Sequence, residues 1–496
     1  MQTPPAGLIL DSRKGPWILL SAAAVLLLIC PGAASLWTHE GRWAVICREM
    51  LRSGDYFHPY LFDEEYFDKP LLSYWLMIGC SRLLGGLGEA ALRIPGMLAG
   101  VLAVACTWRI GATRFNPKVG LTAGWLLLTC VFFAYWSRVA SADIFNLTAV
   151  VAAAAWYTER RERPGFTTWS VFLAILAVGA QFKGLIAPVL AVLAILPDLA
   201  TEGRWKRHLK PSLALAPIPA MALYLVPFLL AGATAGEGYA SSGLLLVFKE
   251  NVLRYFKPFD HIAPFYVYIE FLPIYALPWS LLLPGVLWRA RRWKDLSAAS
   301  RWPLLASLAI LVFLTLGSGR RNYYLLPILP FVMLAVADWL WEEGASERRR
   351  QAAFGIGAFC AAGMLLYFGL AVPILNSRGD TRQLGIEVRG AAEKQAPWNE
   401  WRVVLFDTRP QMGFYLDPVD RPRRLLTLTE LEQALQEHPR TVVVTYARKQ
   451  AQLDPVLAGW SLHRELSDLP WEAGKPKNSP QAQIAYLPPQ EVKPPR

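Results

Sequence analysis

Between His39 and Tyr74 the chain reads HEGRWAVICREMLRSGDYFHPYLFDEEYFDKPLLSY. It gathers Glu40, Arg42, Arg48, Glu49, Asp55, Asp63, Glu64, Glu65, Asp68 and Lys69 into one connection. Carboxylates can take up a proton as a bond forms, and ammonium or guanidinium groups can hold a departing anion. Apolar sequence flanks the stretch on both sides, and a passive connector between membrane spans needs no such inventory. The residue types imply an active-site loop at a membrane surface, hence an enzyme acting on a lipid-linked substrate.

Composition supplies the elements that must position this loop. The 496 residues are 54% hydrophobic and include 20 Trp. Apolar runs long enough to cross a bilayer recur from Trp17 to Ile374, which predicts a polytopic helical membrane protein. No cleavable signal peptide is expected, because the first run, Pro16 to Trp37, is itself long enough to span, although Gly32 to Ser35 weakly imitates a cleavage site. The net charge of +12 need not signal nucleic acid, since most basic residues cluster between apolar runs.

Those clusters orient the chain. Arg13 and Lys14 place the N-terminus inside and the His39 loop outside. Arg109, Arg114 and Lys118, then Arg160, Arg161 and Arg163, then Arg204 to Lys210, Arg289 to Lys294 and Arg348 to Arg350 mark later inside connections. This predicts about eleven spans, near 16–36, 93–112, 118–137, 142–158, 167–182, 184–199, 211–232, 266–288, 302–317, 322–341 and 352–374. Leu71 to Leu87 is too short for the alternation and reads as a juxtamembrane or partly inserted helix; counting it as a span is the other reading. The outer connections are then 38–92, the turns at 141–143 and 183–184, residues 233–265, and Gly317 to Asn322. Polar clusters other than the inside basic ones all fall on that face, as a site requires.

Two domains follow: a membrane domain over 1–375, with outer loops 38–92 and 233–265, and a small soluble α/β domain over 376–496 on the outer side. In the second, residues 402–406, 441–446 and 483–486 read as strands, and a capping box from Thr429 to Glu432 opens a helix running to Glu437. The six cysteines lie mostly in apolar runs; a Cys47–Cys80 disulfide is open, and there is no CxxC or Cys/His metal spacing.

An ordered set of short motifs now becomes visible: Glu40; Arg48-Glu-Met-Leu; Ser53-Gly-Asp55; Tyr66-Phe-Asp68-Lys69-Pro70; Arg93-Ile-Pro95; Arg138 to Asp143; Lys183-Gly184; Pro264-Phe-Tyr266; Leu277-Pro-Trp279; and Asn322-Tyr-Tyr-Leu-Leu-Pro327. In this order, over roughly the first 340 residues, the chain resembles the polyprenyl-phosphate-sugar-dependent glycosyltransferases of the GT-C fold, which include the lipid A aminoarabinose transferase and the protein O-mannosyltransferases. The resemblance implies a GT-C-like fold of about 11–13 transmembrane helices, with juxtamembrane helices in the first outer loop. It also implies inverting transfer of a sugar from a polyprenyl-phosphate donor to a glycolipid, glycan or protein acceptor, at the periplasmic face of a bacterial inner membrane.

Inverting transfer wants a carboxylate as general base and positive charge for the departing phosphate. Where the family has Asp-Glu, this chain has His39-Glu40, so Glu40 is the carboxylate left for the base, with His39 as the alternative. Asp143 is similar to the family's second functional acid and also fits a helix N-cap. Lys69, Arg320, Arg321, Lys183 and Arg254 are candidate holders of the donor phosphate; the Arg pair would otherwise be snorkelling at a span end. Asp68 and His261 could hold a divalent metal ion, although the two make an incomplete set. A transporter or flippase of lipid-linked saccharide is the competing class, and an inactive scaffold gains from His39. Charge gathered on one face rather than deep in the spans favours the enzyme.

Overall fold

The structure is a computed structural model that describes residues 10, 13–36, 39–201, 205–208, 213–234, 263–376, 381–464 and 483–490. Its α-helices longer than five residues, in chain order, are α1 Gly15–Leu28, α2 Glu40–Ser53, α3 Leu72–Leu83, α4 Glu89–Arg114, α5 Pro117–Leu128, α6 Val131–Ser137, α7 Asp143–Arg160, α8 Phe166–Lys183, α9 Ile186–Thr201 and α10 Pro217–Thr234. They continue with α11 Val267–Tyr275, α12 Leu283–Ala290, α13 Ala298–Leu316, α14 Leu329–Leu340, α15 Glu347–Leu366, α16 Thr381–Glu393, α17 Gln411–Leu416 and α18 Leu428–Glu437. The chain forms two compact units. One holds Met1–Ile29, Phe67–Leu76 and Arg93–Leu366; the other holds Cys30–Tyr66, Met77–Leu92 and Tyr367–Arg496. The second unit is therefore built from three separated stretches, with the first loop and the C-terminal stretch folded together.

Among the described residues, six helical segments are long and apolar enough to span a membrane, or up to eight when bent pairs are counted. Each of the eleven expected spans falls on a helix, but α1 and α9 are shorter and α7 is not among the six to eight, and two of the expected spans are broken. Residues 118–137 are not one rod: α5 and α6 meet at 66°. Thr129 Oγ1 turns back on the Trp125 carbonyl at 2.6 Å and Val131 N–H donates to the Leu277 carbonyl, so the ladder is interrupted there. Residues 266–288 bend by 103° between α11 and the segment Trp279–Ala290, beside Pro278, which has no N–H to continue a helix. The first span, α1, has 14 helical residues instead of the 21 expected over 16–36, since Pro31 follows closely and blocks extension. Apolar side chains such as Leu281, Leu308 and Phe359 stand exposed, the lipid-facing surface of a membrane protein.

Polar contacts clamp the helices at their ends. Arg138 donates to the Leu27 carbonyl at 2.6 Å and the Ile29 carbonyl at 2.7 Å, satisfying the open end of α1. At the basic ends, Asp198 takes Arg114 at 2.8 Å, Arg161 at 3.1 Å and the Tyr157 hydroxyl at 2.8 Å. Part of the basic character read from sequence is thus neutralised inside the fold.

The second unit contains a five-stranded sheet in the order β4-β3-β5-β7-β6, made of β3 Arg402–Phe406, β4 Arg423–Leu425, β5 Thr441–Tyr446, β6 Ser461–Arg464 and β7 Gln483–Leu487. β4, β3 and β5 run parallel, and β7 pairs antiparallel with β5 and β6. Val442 and Val444 face a core of Leu384, Val388, Trp401 and Met412, while Val443 faces Leu431, Ala434 and Leu453. Helices cover both faces, which explains why β5 reads as an unbroken apolar run rather than an alternating one. Strands β4 and β6 carry no strand signal in the sequence, being short and rich in Arg, His and Ser. The capping box is two residues earlier than expected: Thr427 and Glu430 exchange the bonds, because that frame turns Leu431 and Ala434 inward.

The first outer loop belongs to this unit. A short hairpin, β1 Tyr60–Leu61 with β2 Glu64–Glu65, buries Phe62 in the same core as Leu384 and Met412. Helix α2 is buried nearly all round, Trp43 through Met50, charged residues included. Gly54, at φ 72°, ends it in the left-handed conformation. Asp55 then accepts from the N–H groups of Phe57 and His58 and from the His58 ring at 2.7 Å. Burial works against its charge, but these bonds prevail and hold the carboxyl below its usual range. None of the six cysteines forms a disulfide, so Cys47 and Cys80 do not bridge, and burial pushes the Cys47 thiol up, away from reactivity.

Gly41 shows how tightly α2 is seated. A Cβ there would lie 2.6 Å from the Gln411 nitrogen and 2.8 Å from its Cα, both rigid backbone. Gly41→Ala is expected to destabilise the second unit by about 1–3 kcal/mol, read as a lower unfolding midpoint. Gly390, where a Cβ meets nothing within 4 Å, tolerates the same change.

Candidate active site

Asp143 opens α7, but it is not the N-cap: Ala142 holds that position, and the Asp143 side chain turns instead to Lys183 at the end of α8. Packing of α7 along α8 brings the two ends together. Both side chains are largely buried, 13% and 14% exposed, so each charge depends on the other. The Lys183 ammonium also lies 4.5 Å from the Tyr324 ring centre and 5.4 Å from that of Tyr323. Aromatic faces favour a cation, so this is a place where positive charge is held ready.

Arg321 joins the same group. It donates to the Tyr323 hydroxyl at 2.8 Å, and the Tyr323 ring packs on Trp136 at 4.8 Å between centres. The segment Asn322–Ile328 carries these tyrosines as a 3-10 turn leading into α14, so the NYYLLP motif is a scaffold for rings, not a plain span end. Arg320 points elsewhere: its guanidinium bonds the Thr315 carbonyl at 3.0 and 3.2 Å and the Ala263 carbonyl at 2.9 Å, closing the end of α13. Of the two arginines expected to hold phosphate, Arg321 is the one gathered with Lys183.

Asp68 and Lys69 form an ion pair of 2.6 Å, both mostly buried. Lys69 therefore has a built-in counterion, which a phosphate would have to displace or share. An ammonium already on the Asp68 carboxylate contests a metal ion there. Among the described residues no group of three or more His, Cys, Asp or Glu could hold a metal. His261 and Arg254 lie outside the described residues.

In the second unit, Glu40 sits in the first turn of α2 at 1% exposure, with His39 half-buried at the N-cap. The positive end of the helix dipole favours a carboxylate at that place. Arg42 bonds the Tyr66 hydroxyl at 2.9 Å, which ties the first turn of α2 to the end of the hairpin. Arg48 of the REML motif is structural: it donates to the carbonyls of Gly413 at 2.7 Å and Phe414 at 3.2 Å in α17. The roles of Arg48, Arg138 and Arg320 as carbonyl caps are invisible in sequence, because their acceptors are backbone atoms.

Known proteins share the fold that carries these residues. The model of the dolichyl-phosphate-mannose-protein mannosyltransferase family matches residues 68–230. The undecaprenyl phosphate-alpha-4-amino-4-deoxy-L-arabinose arabinosyl transferase of Pseudomonas paraeruginosa is 28% identical over 421 residues, covering 79% of this chain and 74% of its own length. The transferase of the same name from Edwardsiella ictaluri is 30% identical over 339 residues, covering 65% and 59%. Among solved structures, ArnT from Cupriavidus metallidurans bound to undecaprenyl phosphate superposes with a TM-score of 0.73 at 17% identity, covering 98% of this chain and 100% of that one. The archaeal oligosaccharyltransferase AglB of Archaeoglobus fulgidus gives 0.56 at 13%, covering 97% and 75%. The resemblance read from the ordered motifs is thereby borne out: this polytopic membrane protein has the GT-C fold and is similar to the polyprenyl-phosphate-sugar-dependent glycosyltransferases.

Proposed function

We propose that the chain is an inverting glycosyltransferase that moves a sugar from an undecaprenyl-phosphate-type donor to a periplasmic acceptor. Its similarity to aminoarabinose transferases favours a lipid A-type glycolipid as that acceptor. The reading places it in a bacterial inner membrane with the reacting residues on the periplasmic side, as the inside basic clusters support. The observation that carries the function is the buried Lys183, bonded to Asp143 and seated on Tyr324, with Arg321 bound to the adjoining Tyr323.

In the reaction, an acceptor oxygen attacks the anomeric carbon from the face opposite the lipid phosphate. The bond from that carbon to the phosphate oxygen breaks, and its electron pair leaves with the phosphate. Lys183, Arg321 and Lys69 neutralise the growing charge, a contribution that acts in the transition state. Asp143 positions Lys183, and Glu40 keeps the role given by the resemblance, accepting the proton of a hydroxyl acceptor.

The test is transfer of label from a radiolabelled polyprenyl-phosphate sugar to acceptor lipid by purified protein. Transfer is the expected result. No transfer from any of several donors, together with donor lipid crossing the bilayer of proteoliposomes, would replace the enzyme with a flippase.

A further inference from the structure

The second unit contains a cleft of about 480 Å³ that none of the proposed chemistry uses. Arg48, Arg52, Glu89, Arg382, Tyr415 and Asp417 line it, as do Phe414 and Gly88. Its floor is pinned: the Tyr415 hydroxyl receives the Leu36 N–H and donates to Glu89 at 2.9 Å, and Glu89 also takes Arg382 at 2.6 Å. That use consumes Glu89.

Arg48 and Arg52 are left sharing acids. Arg48 reaches Asp417 at 3.3 Å and Glu49 at 3.5 Å; Arg52 reaches Asp417 at 2.7 Å and Glu49 at 3.9 Å. Arg421 also draws on Glu49, at 3.3 Å. Three guanidiniums thus divide two carboxylates, and Asp417 is itself half exposed.

The decisive atom is Arg48 Nη2. Arg48 is 6% exposed, and this nitrogen is buried without a hydrogen-bond partner while Nη1 and Nε are both engaged. A buried guanidinium leaving donors unused is costly, and an anionic oxygen is its strongest acceptor. Phe414 and Tyr415 add flat walls beside the charge. We propose that this cleft is a binding site for a phosphate-bearing ligand, with the accessible Arg52 as its first donor and Arg48 Nη2, uncovered by a small rotation of the guanidinium, as its second. The site is independent of sugar transfer and stands or falls by itself.

Arg48 also holds α17, so Arg48→Ala could fail by unfolding. Gly88 offers a cleaner variant: a Cβ there meets nothing within 4 Å, and it sits just before α4, where Asp is a favoured N-cap. Gly88→Asp adds a carboxylate to the cleft wall; Gly88→Ala is the uncharged control. The measurement is calorimetric titration of full-length purified protein with inorganic phosphate, glucose 1-phosphate and dihexanoyl phosphatidic acid. We expect saturable binding of at least one, weakened about tenfold or more by Gly88→Asp with an unchanged unfolding midpoint, and kept by Gly88→Ala. Binding of all three assigns the phosphate alone as the recognised group; binding of the phosphatidic acid only assigns a lipid headgroup. Phosphate binding that survives Gly88→Asp undiminished belongs to another site and overturns the proposal, as does no binding of any probe.

Discussion

Glu40→Gln lowers transfer of sugar to a hydroxyl acceptor by about 10²–10⁴-fold, the range associated with loss of a general base. The substitution keeps shape and removes only the charge. The lost interaction with the positive end of α2 costs up to about 2 kcal/mol at a buried position, which the unfolding midpoint registers separately from the rate. The fall therefore appears in kcat, while KM for the donor stays within a few-fold. The chemistry of the acceptor gives a second arm. A phosphate monoester carries about −1.5 to −2 charge near neutral pH and needs no base to become nucleophilic. Against such an acceptor Glu40→Gln costs less than tenfold. Full activity towards a hydroxyl in this variant would remove Glu40 from the base role, and the same loss in His39→Gln would hand it to the imidazole.

Lys183→Met produces the second large effect, on both stability and rate. It leaves the Asp143 carboxylate largely buried without its partner. Removing one member of a buried pair costs about 3 kcal/mol or more. The double variant Lys183→Met/Asp143→Asn withdraws the orphaned charge and recovers most of the lost unfolding midpoint. Transfer does not recover with it: both variants stay about 10²–10³-fold slow, since the Lys183 share of the positive charge for the leaving phosphate is absent from each. A double variant that regained transfer along with stability would show the pair to be a structural clasp alone. Arg320→Gln supplies the contrast. Its donors serve the Thr315 carbonyl at the end of α13 and the Ala263 carbonyl before α11, so it lowers stability while the rate of the folded fraction stays within a few-fold of wild type.

The motifs with chemistry in them are legible because their residue types are costly where they stand. Lys183 and Asp143 interrupt apolar sequence, and a lone charge there demands a partner. The sequence therefore supports a functional site at the boundary, a membrane fold and the GT-C resemblance. Strands 402–406, 441–446 and 483–486 are equally readable, since buried strands write themselves as apolar runs.

Other features are decided only in three dimensions. Whether Asp143 caps its own helix or pairs with Lys183 depends on how α7 packs against α8, and both outcomes fit the same local sequence. The two capping-box frames near Thr427 differ only in which residues they turn towards the sheet. That the His39 loop folds with the C-terminal stretch follows from Phe62 in a shared core and from Arg48 on the carbonyls of α17. Carbonyls carry no signature in a sequence, because every residue has one. Composition and periodicity set what each segment could become, and long-range pairing chose among charges and carbonyls that were locally equivalent.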